Sequence, residues 1–205
     1  MMINHQERYD KWASTYNVDV KNRNYYAPSY IVEYLMELVN QQVIDYSNKS
    51  ELKVLDAGCG TGLLGVKLRQ EGFSYIDGVD FSHEMVKLAY ETGAYQYLMG
   101  WCDLNKKPPF FFHHQYDLTI CCGVFSFDLV KPTALRWLME VTKPGGIILM
   151  STRLVFCETY NFEGYYKELE QLGELKLIDC RMNQPYLGEE SNAHYWVFAI
   201  RESKK

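Results

Sequence analysis

No stretch of the 205-residue chain approaches the roughly 20 consecutive apolar residues that a membrane-crossing helix needs. The start, Met1-Met2-Ile3-Asn4-His5-Gln6, lacks the charged-then-apolar pattern of an export signal, so a cytoplasmic protein with no membrane partner is expected. Basic residues are in the minority: 21 Lys and Arg face 26 Asp and Glu, the net charge is -5, and the basic residues are scattered apart from the Lys204-Lys205 tail. No positive field is available to hold a phosphate backbone, which argues against a nucleic-acid partner. Among the six cysteines there is no C-x-x-C pair, so neither a zinc site nor a redox motif is suggested, and reduced, mostly buried thiols are expected. Internal repeats and low-complexity stretches are absent as well.

What is present is an ordinary globular balance, 47% hydrophobic and 23% charged residues, with a surplus of aromatics that includes 17 tyrosines. The length suits one domain, 1–205, able to bury a sizeable core. Short apolar strands are expected at 53–57, 75–80, 95–101, 116–122, 147–152, 175–182 and 193–200. Amphipathic helices are expected at 63–71, 83–91 and 133–141, the last closed by Lys143-Pro144-Gly145-Gly146. Alternation of this kind predicts an α/β layered fold: a seven-stranded, mostly parallel sheet with an antiparallel last strand and helices on both faces. The last two strands are joined by residues 183–192 without a helix, so they read as an antiparallel pair. Two further helical segments, 5–16 and 28–43, precede the first strand. Within the first, His5, Tyr9, Trp12 and Tyr16 share one face, which either packs on the core, 49–205, or makes residues 1–48 a helical lid.

The chemistry concentrates where the first strand breaks, at Val54-Leu55-Asp56-Ala57-Gly58-Cys59-Gly60-Thr61-Gly62, with Asp80 closing the second strand 22 positions after Gly58. A strand that opens through alternate glycines into a helix brings bare backbone close to a ligand, and an acid ending the next strand can hold two ribose hydroxyls. Dinucleotide sites typically run G-x-G-x-x-G, whereas this loop runs G-x-G-x-G behind the carboxylate of Asp56. A carboxylate there repels a pyrophosphate and suits a ligand carrying an ammonium group. S-adenosyl-L-methionine carries an ammonium and a sulfonium, and is the expected cofactor. Ser82 can cap the helix that follows Asp80.

Those segments, together with Gly78-Val79-Asp80-Phe81-Ser82, Tyr116-Asp117-Leu118 and Lys143-Pro144-Gly145-Gly146, resemble class I S-adenosylmethionine-dependent methyltransferases, closely over residues 50–153. The opening Tyr9-Asp10-Lys11-Trp12-Ala13-Ser14-Thr15-Tyr16-Asn17 resembles the small methyltransferase-like 27 group. A Rossmann-like sheet is implied. So is a donor site: Asp56, Gly58, Cys59, Gly60, Thr61, Gly62 and Leu63 around the methionine portion, and Asp80, Phe81, Ser82 and Met85 around the ribose and adenine. Cys102, Asp103 and Leu104 would meet the adenine amine, Cys122 and Gly123 would lie beside the departing methyl, and Tyr9, Trp12 and Tyr16 would cover the donor.

For the acceptor, Cys121-Cys122-Gly123-Val124 replaces the [N/D]-P-P-[Y/F] run of enzymes that methylate amide or base nitrogens. Tyr25, Tyr26, Val124, Phe125, Phe127, Phe156, Tyr160 and Tyr186 are expected to form an aromatic pocket for a small molecule. A small phenol is the leading acceptor and would need help losing its proton. His194, which begins the final strand at the ligand end, is the expected base, with Tyr26 as its hydrogen-bonding partner and no metal. Protein side-chain or carboxylate methylation, and a non-catalytic cofactor-binding subunit, remain open alternatives. A monomer or weak homodimer is expected.

Overall fold

The structure, a computed structural model, describes residues 5–46, 48–126, 128–189 and 191–201. Two helices come first, α1 (His5–Asn22) and α2 (Ala27–Asn40). Then follow β1 (Lys53–Ala57), α3 (Leu63–Gln70), β2 (Tyr75–Val79), α4 (His83–Glu91), β3 (Tyr97–Met99), β4 (Tyr116–Phe125), α5 (Ala134–Val141) and β5 (Thr142–Arg153). The chain finishes with α6 (Leu154–Tyr160), α7 (Phe162–Gln171), β6 (Leu175–Leu187) and β7 (Ser191–Ile200).

The seven strands form one sheet in the order β3-β2-β1-β4-β5-β7-β6, with β7 antiparallel to both of its neighbours. Strand order reverses between β1 and β4, the position at which open α/β sheets bind ligands beyond the carboxyl ends of their strands. Both faces are covered, and alternate residues serve opposite faces. Val54, Leu149, Tyr195 and Val197 join the cluster that α2 and α3 complete. Leu55, Met150, Trp196 and Phe198 join the cluster completed by α5, α6 and α7. Among the described residues no helix is long and apolar enough to cross a membrane.

The expected strand and helix order holds, with differences in detail. The hairpin of β6 and β7 is longer than expected, so Tyr186 lies inside β6 and is buried, not in a connecting loop. Helices α6 and α7 fill the stretch between β5 and β6, and Phe156 on α6 is wholly buried. Tyr95 precedes β3, which is three residues long. Lys143-Pro144-Gly145-Gly146 ends α5 as expected but enters β5 directly through a register shift opposite β4.

Candidate active site

Beyond Ala57 the backbone turns through Gly58, Gly60 and Gly62 at φ of 86°, 52° and 90°, the left-handed region that side chains other than glycine enter at a cost. The amides of Gly58 and Cys59 donate to the Val79 carbonyl at 2.7 and 3.0 Å, which ties the loop to the end of β2. Asp80, the next residue, holds both neighbours: Oδ2 accepts from the Gly60 amide at 2.9 Å and Oδ1 from the Ser82 amide at 2.8 Å. Ser82 caps α4 as expected, its hydroxyl accepting from the Met85 amide. A Cβ on Gly58 would fall 2.1 Å from the Val124 side chain, whereas one on Gly60 would meet nothing within 4 Å, so the loop presents open backbone at Gly60.

Two connected chambers flank this loop. The outer one is walled by Asp80, Phe81, Met85, Cys102, Asp103 and Leu104, with Leu129 and Val130 opposite. The inner one is walled by Asp56, Cys59, Thr61 and Leu63, with Pro28 and Leu64. Tyr16, Tyr25, Gly58, Gly60 and Cys122 border both. Each chamber therefore contains one buried carboxylate, Asp56 or Asp80. Burial pushes the Asp56 carboxyl up to about 7, although the Tyr95 hydroxyl donates to it at 2.7 Å. Burial likewise pushes Asp80 up to about 6, against the backbone amides of Ser82, Gly60 and Phe81 that favour its anion. Among the described residues neither acid has an ion-pair partner. Desolvated carboxylates in a cleft call for a ligand that brings its own cation or hydroxyl donors. An ammonium group at Asp56 and a ribose diol at Asp80 meet that demand, and the bare backbone of Gly60 lies between the two acids, so the residues fit S-adenosylmethionine.

Helix α1 lies over the outer chamber. Tyr9 meets Phe81 edge to face at 5.3 Å, Asn17 accepts from the Thr61 hydroxyl at 2.6 Å, and Asp10 accepts from the Ser82 hydroxyl at 2.6 Å. Tyr9 and Tyr16 line the cleft, while Trp12 stands between their rings and donates its indole N–H to Asp19. Removing the Asp10 carboxylate should release α1, since a hydrogen bond to a charged group contributes about 1.5–3 kcal/mol. We expect Asp10→Ala to increase tryptic cleavage at Lys21 and Arg23 about tenfold, with S-adenosylhomocysteine restoring much of the protection. Equal cleavage of the variant and the parent would contradict that role.

Several expected site residues stand elsewhere. Gly62 packs against Tyr95 and Ala89, and Ser82 is occupied by its cap and by Asp10. Phe125 and Phe156 are core, meeting edge to face at 5.5 Å, and Tyr160 packs on Phe156. Phe127 lies outside the described residues. His194 is at the ligand end but on the opposite face from the tyrosines. It shares its strand parity with Trp196, whose ring lies 5.7 Å away, and its Nδ1 accepts from the Asn183 amide at 2.8 Å. Tyr26, 47% exposed at the start of α2, borders a separate surface groove beside Pro185 and Asn192. The pairing of His194 with Tyr26 as base and helper is therefore corrected: neither lines the cleft.

At the Gly123 wall of the outer chamber Tyr25 and Tyr186 close on the backbone. Their rings meet edge to face at 5.4 Å, and a Cβ on Gly123 would lie 2.3 Å from the Tyr25 hydroxyl and 3.3 Å from that of Tyr186. The Gly123 amide donates to the Ser151 hydroxyl at 3.0 Å. Three contributors escape sequence reasoning: Tyr95 under the loop, Asp10 on α1, and Arg153, whose guanidinium lies over the Tyr186 ring at 5.7 Å. Arg153 had one signal, being the only charged residue between Ile147 and Cys157 and standing at the carboxyl end of a parallel strand.

Residues 24–202 match the model of a family described as a methyltransferase domain. Human methyltransferase-like protein 27 is 37% identical over 145 residues, 71% of this chain and 56% of that protein. A malonyl-[acyl-carrier protein] O-methyltransferase from Buchnera aphidicola is 30% identical over 148 residues, 63% of this chain and 54% of that protein. The chain thus spans about half the length of these curated relatives. In fold it is similar to the crystal structure of magnesium protoporphyrin IX methyltransferase from Synechocystis with S-adenosylmethionine bound. That similarity has a TM-score of 0.57 at 18% identity, over 85% of this chain and 79% of that one. The matching domain, the glycine loop with its two acids and the sheet order agree: the chain belongs to the S-adenosylmethionine-dependent methyltransferase family.

Proposed function

We propose that the chain transfers a methyl group from S-adenosylmethionine to an oxygen of a small acceptor, with α1 serving as the lid over the donor. The observation that carries this reading is the pair of buried carboxylates, Asp56 and Asp80, on either side of open glycine backbone in one cleft. When bound, the donor supplies an electrophilic methyl carbon on a positively charged sulfur. The chain's own part is to hold the donor's ammonium at Asp56 and its ribose at Asp80, to keep water out beneath Tyr9 and Tyr16, and to fix the acceptor in line at Gly123. Positioning and dehydration supply most of the rate in such a displacement.

Tyr25 and Val124 beside Gly123 in the outer chamber, with Tyr186 packed against Tyr25, suit a flat, weakly polar body, and the O-methyltransferase among the relatives supports oxygen as the atom methylated. Calorimetry tests the donor site directly. S-adenosylhomocysteine should bind with one site per chain and NAD should not bind. Absence of S-adenosylhomocysteine binding would end the proposal, and a radiolabelled methyl-transfer screen over small phenols, acids and amines would then identify the acceptor class.

A further inference from the structure

We propose that the acceptor presents a carboxylate and that Arg153 is the residue that recognises it; this rests on the methyltransferase reading above. The position of Arg153 is the first ground. It ends β5 at the ligand side of the sheet, half-buried, on the same face as Tyr186 and Tyr195 and opposite to Thr152 and His194. Its guanidinium lies 5.7 Å from the centre of the Tyr186 ring, and the Tyr186 hydroxyl is 3.5 Å from the Gly123 carbonyl. A cation therefore stands behind Tyr186, one side chain away from Gly123, which lines the outer chamber; Arg153 itself walls neither chamber, and its reach to an acceptor passes beside Tyr186.

The second ground is what the guanidinium has and lacks. One Nη2 donates to the Ser191 hydroxyl at 2.9 Å, and among the described residues no carboxylate forms an ion pair with it. A guanidinium offers five donors in a planar fork, so most of this fork is free for a planar anion such as a carboxylate, which accepts two parallel bonds. Burial pushes the ionisation of Tyr9 and Tyr186 up, and the Arg153 charge opposes that rise at both. In a chain of net charge -5 such a positive spot is a local exception.

The third ground is that the histidine expected as base stands away from the cleft. A phenol or alcohol must lose its proton, and His194, the expected acceptor of it, faces the other side of the sheet. Tyr16, Tyr25 and Tyr186 all have their ionisation pushed up, chiefly by burial, so none can take a proton at neutral pH. A carboxylate arrives ionised. One of its oxygens forms the new C–O bond while the methyl C–S bond breaks with its electron pair left on sulfur. Anion and sulfonium become a neutral ester and a neutral thioether, with no proton to remove.

The test uses the protein saturated with S-adenosylhomocysteine and reads its thermal midpoint. Acetate, butyrate and benzoate are titrated in parallel with acetamide, butyramide and benzamide at constant ionic strength. At least one carboxylate should raise the midpoint in a saturable way while its amide does not. Arg153→Gln should lose the response and Arg153→Lys should retain part of it, with S-adenosylhomocysteine affinity measured alongside to report an intact fold and donor site. Equal responses to acids and amides, no response to any acid, or a response that survives in Arg153→Gln would each overturn the inference. A parent protein that fails to bind S-adenosylhomocysteine would instead remove the methyltransferase reading, so the two failures are distinguishable.

Discussion

Asp56→Asn is expected to weaken S-adenosylhomocysteine binding at pH 8 by about a hundredfold or more, because breaking a buried ion pair costs about 3–5 kcal/mol. The pH dependence makes the result specific. In the free protein burial raises Asp56 to about 7 and Asp80 to about 6, above the ordinary value of 3.8. An arriving ammonium needs the Asp56 anion, so below about pH 7 binding must expel a proton. Affinity should then rise by up to about tenfold per pH unit toward pH 7 and level off above it. In Asp56→Asn the part of that rise between about pH 6 and 7 should vanish, while Asp80 keeps its own dependence below about pH 6. Stability runs the other way: between about pH 4 and 7 the folded state holds more protons than the unfolded chain, so the ligand-free protein loses stability as pH rises through that window. Its thermal midpoint should be higher at pH 5 than at pH 8, and S-adenosylhomocysteine should raise the midpoint more at pH 8. An unchanged affinity in Asp56→Asn, or a parent affinity flat from pH 6 to 8, would refute the role of this acid.

Gly65→Ala should damage the site from below without touching the cleft. A Cβ there would lie 2.3 Å from the Tyr95 ring and 2.4 Å from its hydroxyl. The ring has little room to retreat, because Gly62 and Gly78 already require the absence of side chains on its other sides, where a Cβ would meet it at 3.1 and 2.9 Å. Overpacking costs about 1–3 kcal/mol. Displacing the ring also removes the hydroxyl that donates to Asp56, leaving a buried carboxylate without its donor, for about 1–3 kcal/mol more. A combined loss of about 2–6 kcal/mol should lower the thermal midpoint by roughly 4–24 °C for a chain of this size. Tyr95→Phe keeps the ring and removes only the hydroxyl, so it should show the smaller part of the loss while pushing Asp56 further toward its protonated form. If Gly65→Ala melts like the parent, Tyr95 does not support the loop.

Much of this architecture was legible because its signals are local. Helix α4 begins and ends where expected, at His83 and Glu91, since Ser82 announces its start and caps it. The strand before the glycine loop also matches, Lys53–Ala57. The acceptor end was less legible because it depends on parity. Residues Ala193 to Ile200 read as a nearly continuous apolar run, and a strand buried on both faces carries no alternation to say which side chain points where. His194 does begin at the ligand end of the sheet, but one residue of parity puts it on the other face. Tyr95 was hidden for a different reason: Asp56 lies 39 residues before it and Gly65 30, and nothing in the local pattern links them. Phe156 and Tyr160 follow β5 at the ligand end of the sheet, where a pocket rim is expected, but the unforeseen helix α6 turns Phe156 into the core with Tyr160 packed on it.

The cysteines around the cleft carry a consequence for the protein's own survival. Cys59, Cys102 and Cys122 wall the space meant for an alkylating reagent, and sulfur in its anionic form is the most readily alkylated atom a side chain offers. Burial keeps all three protonated: Cys59 is pushed well up, and Cys102 and Cys122 to about 12. Dryness, which sharpens the reaction with the intended acceptor, also protects the walls of the vessel from it.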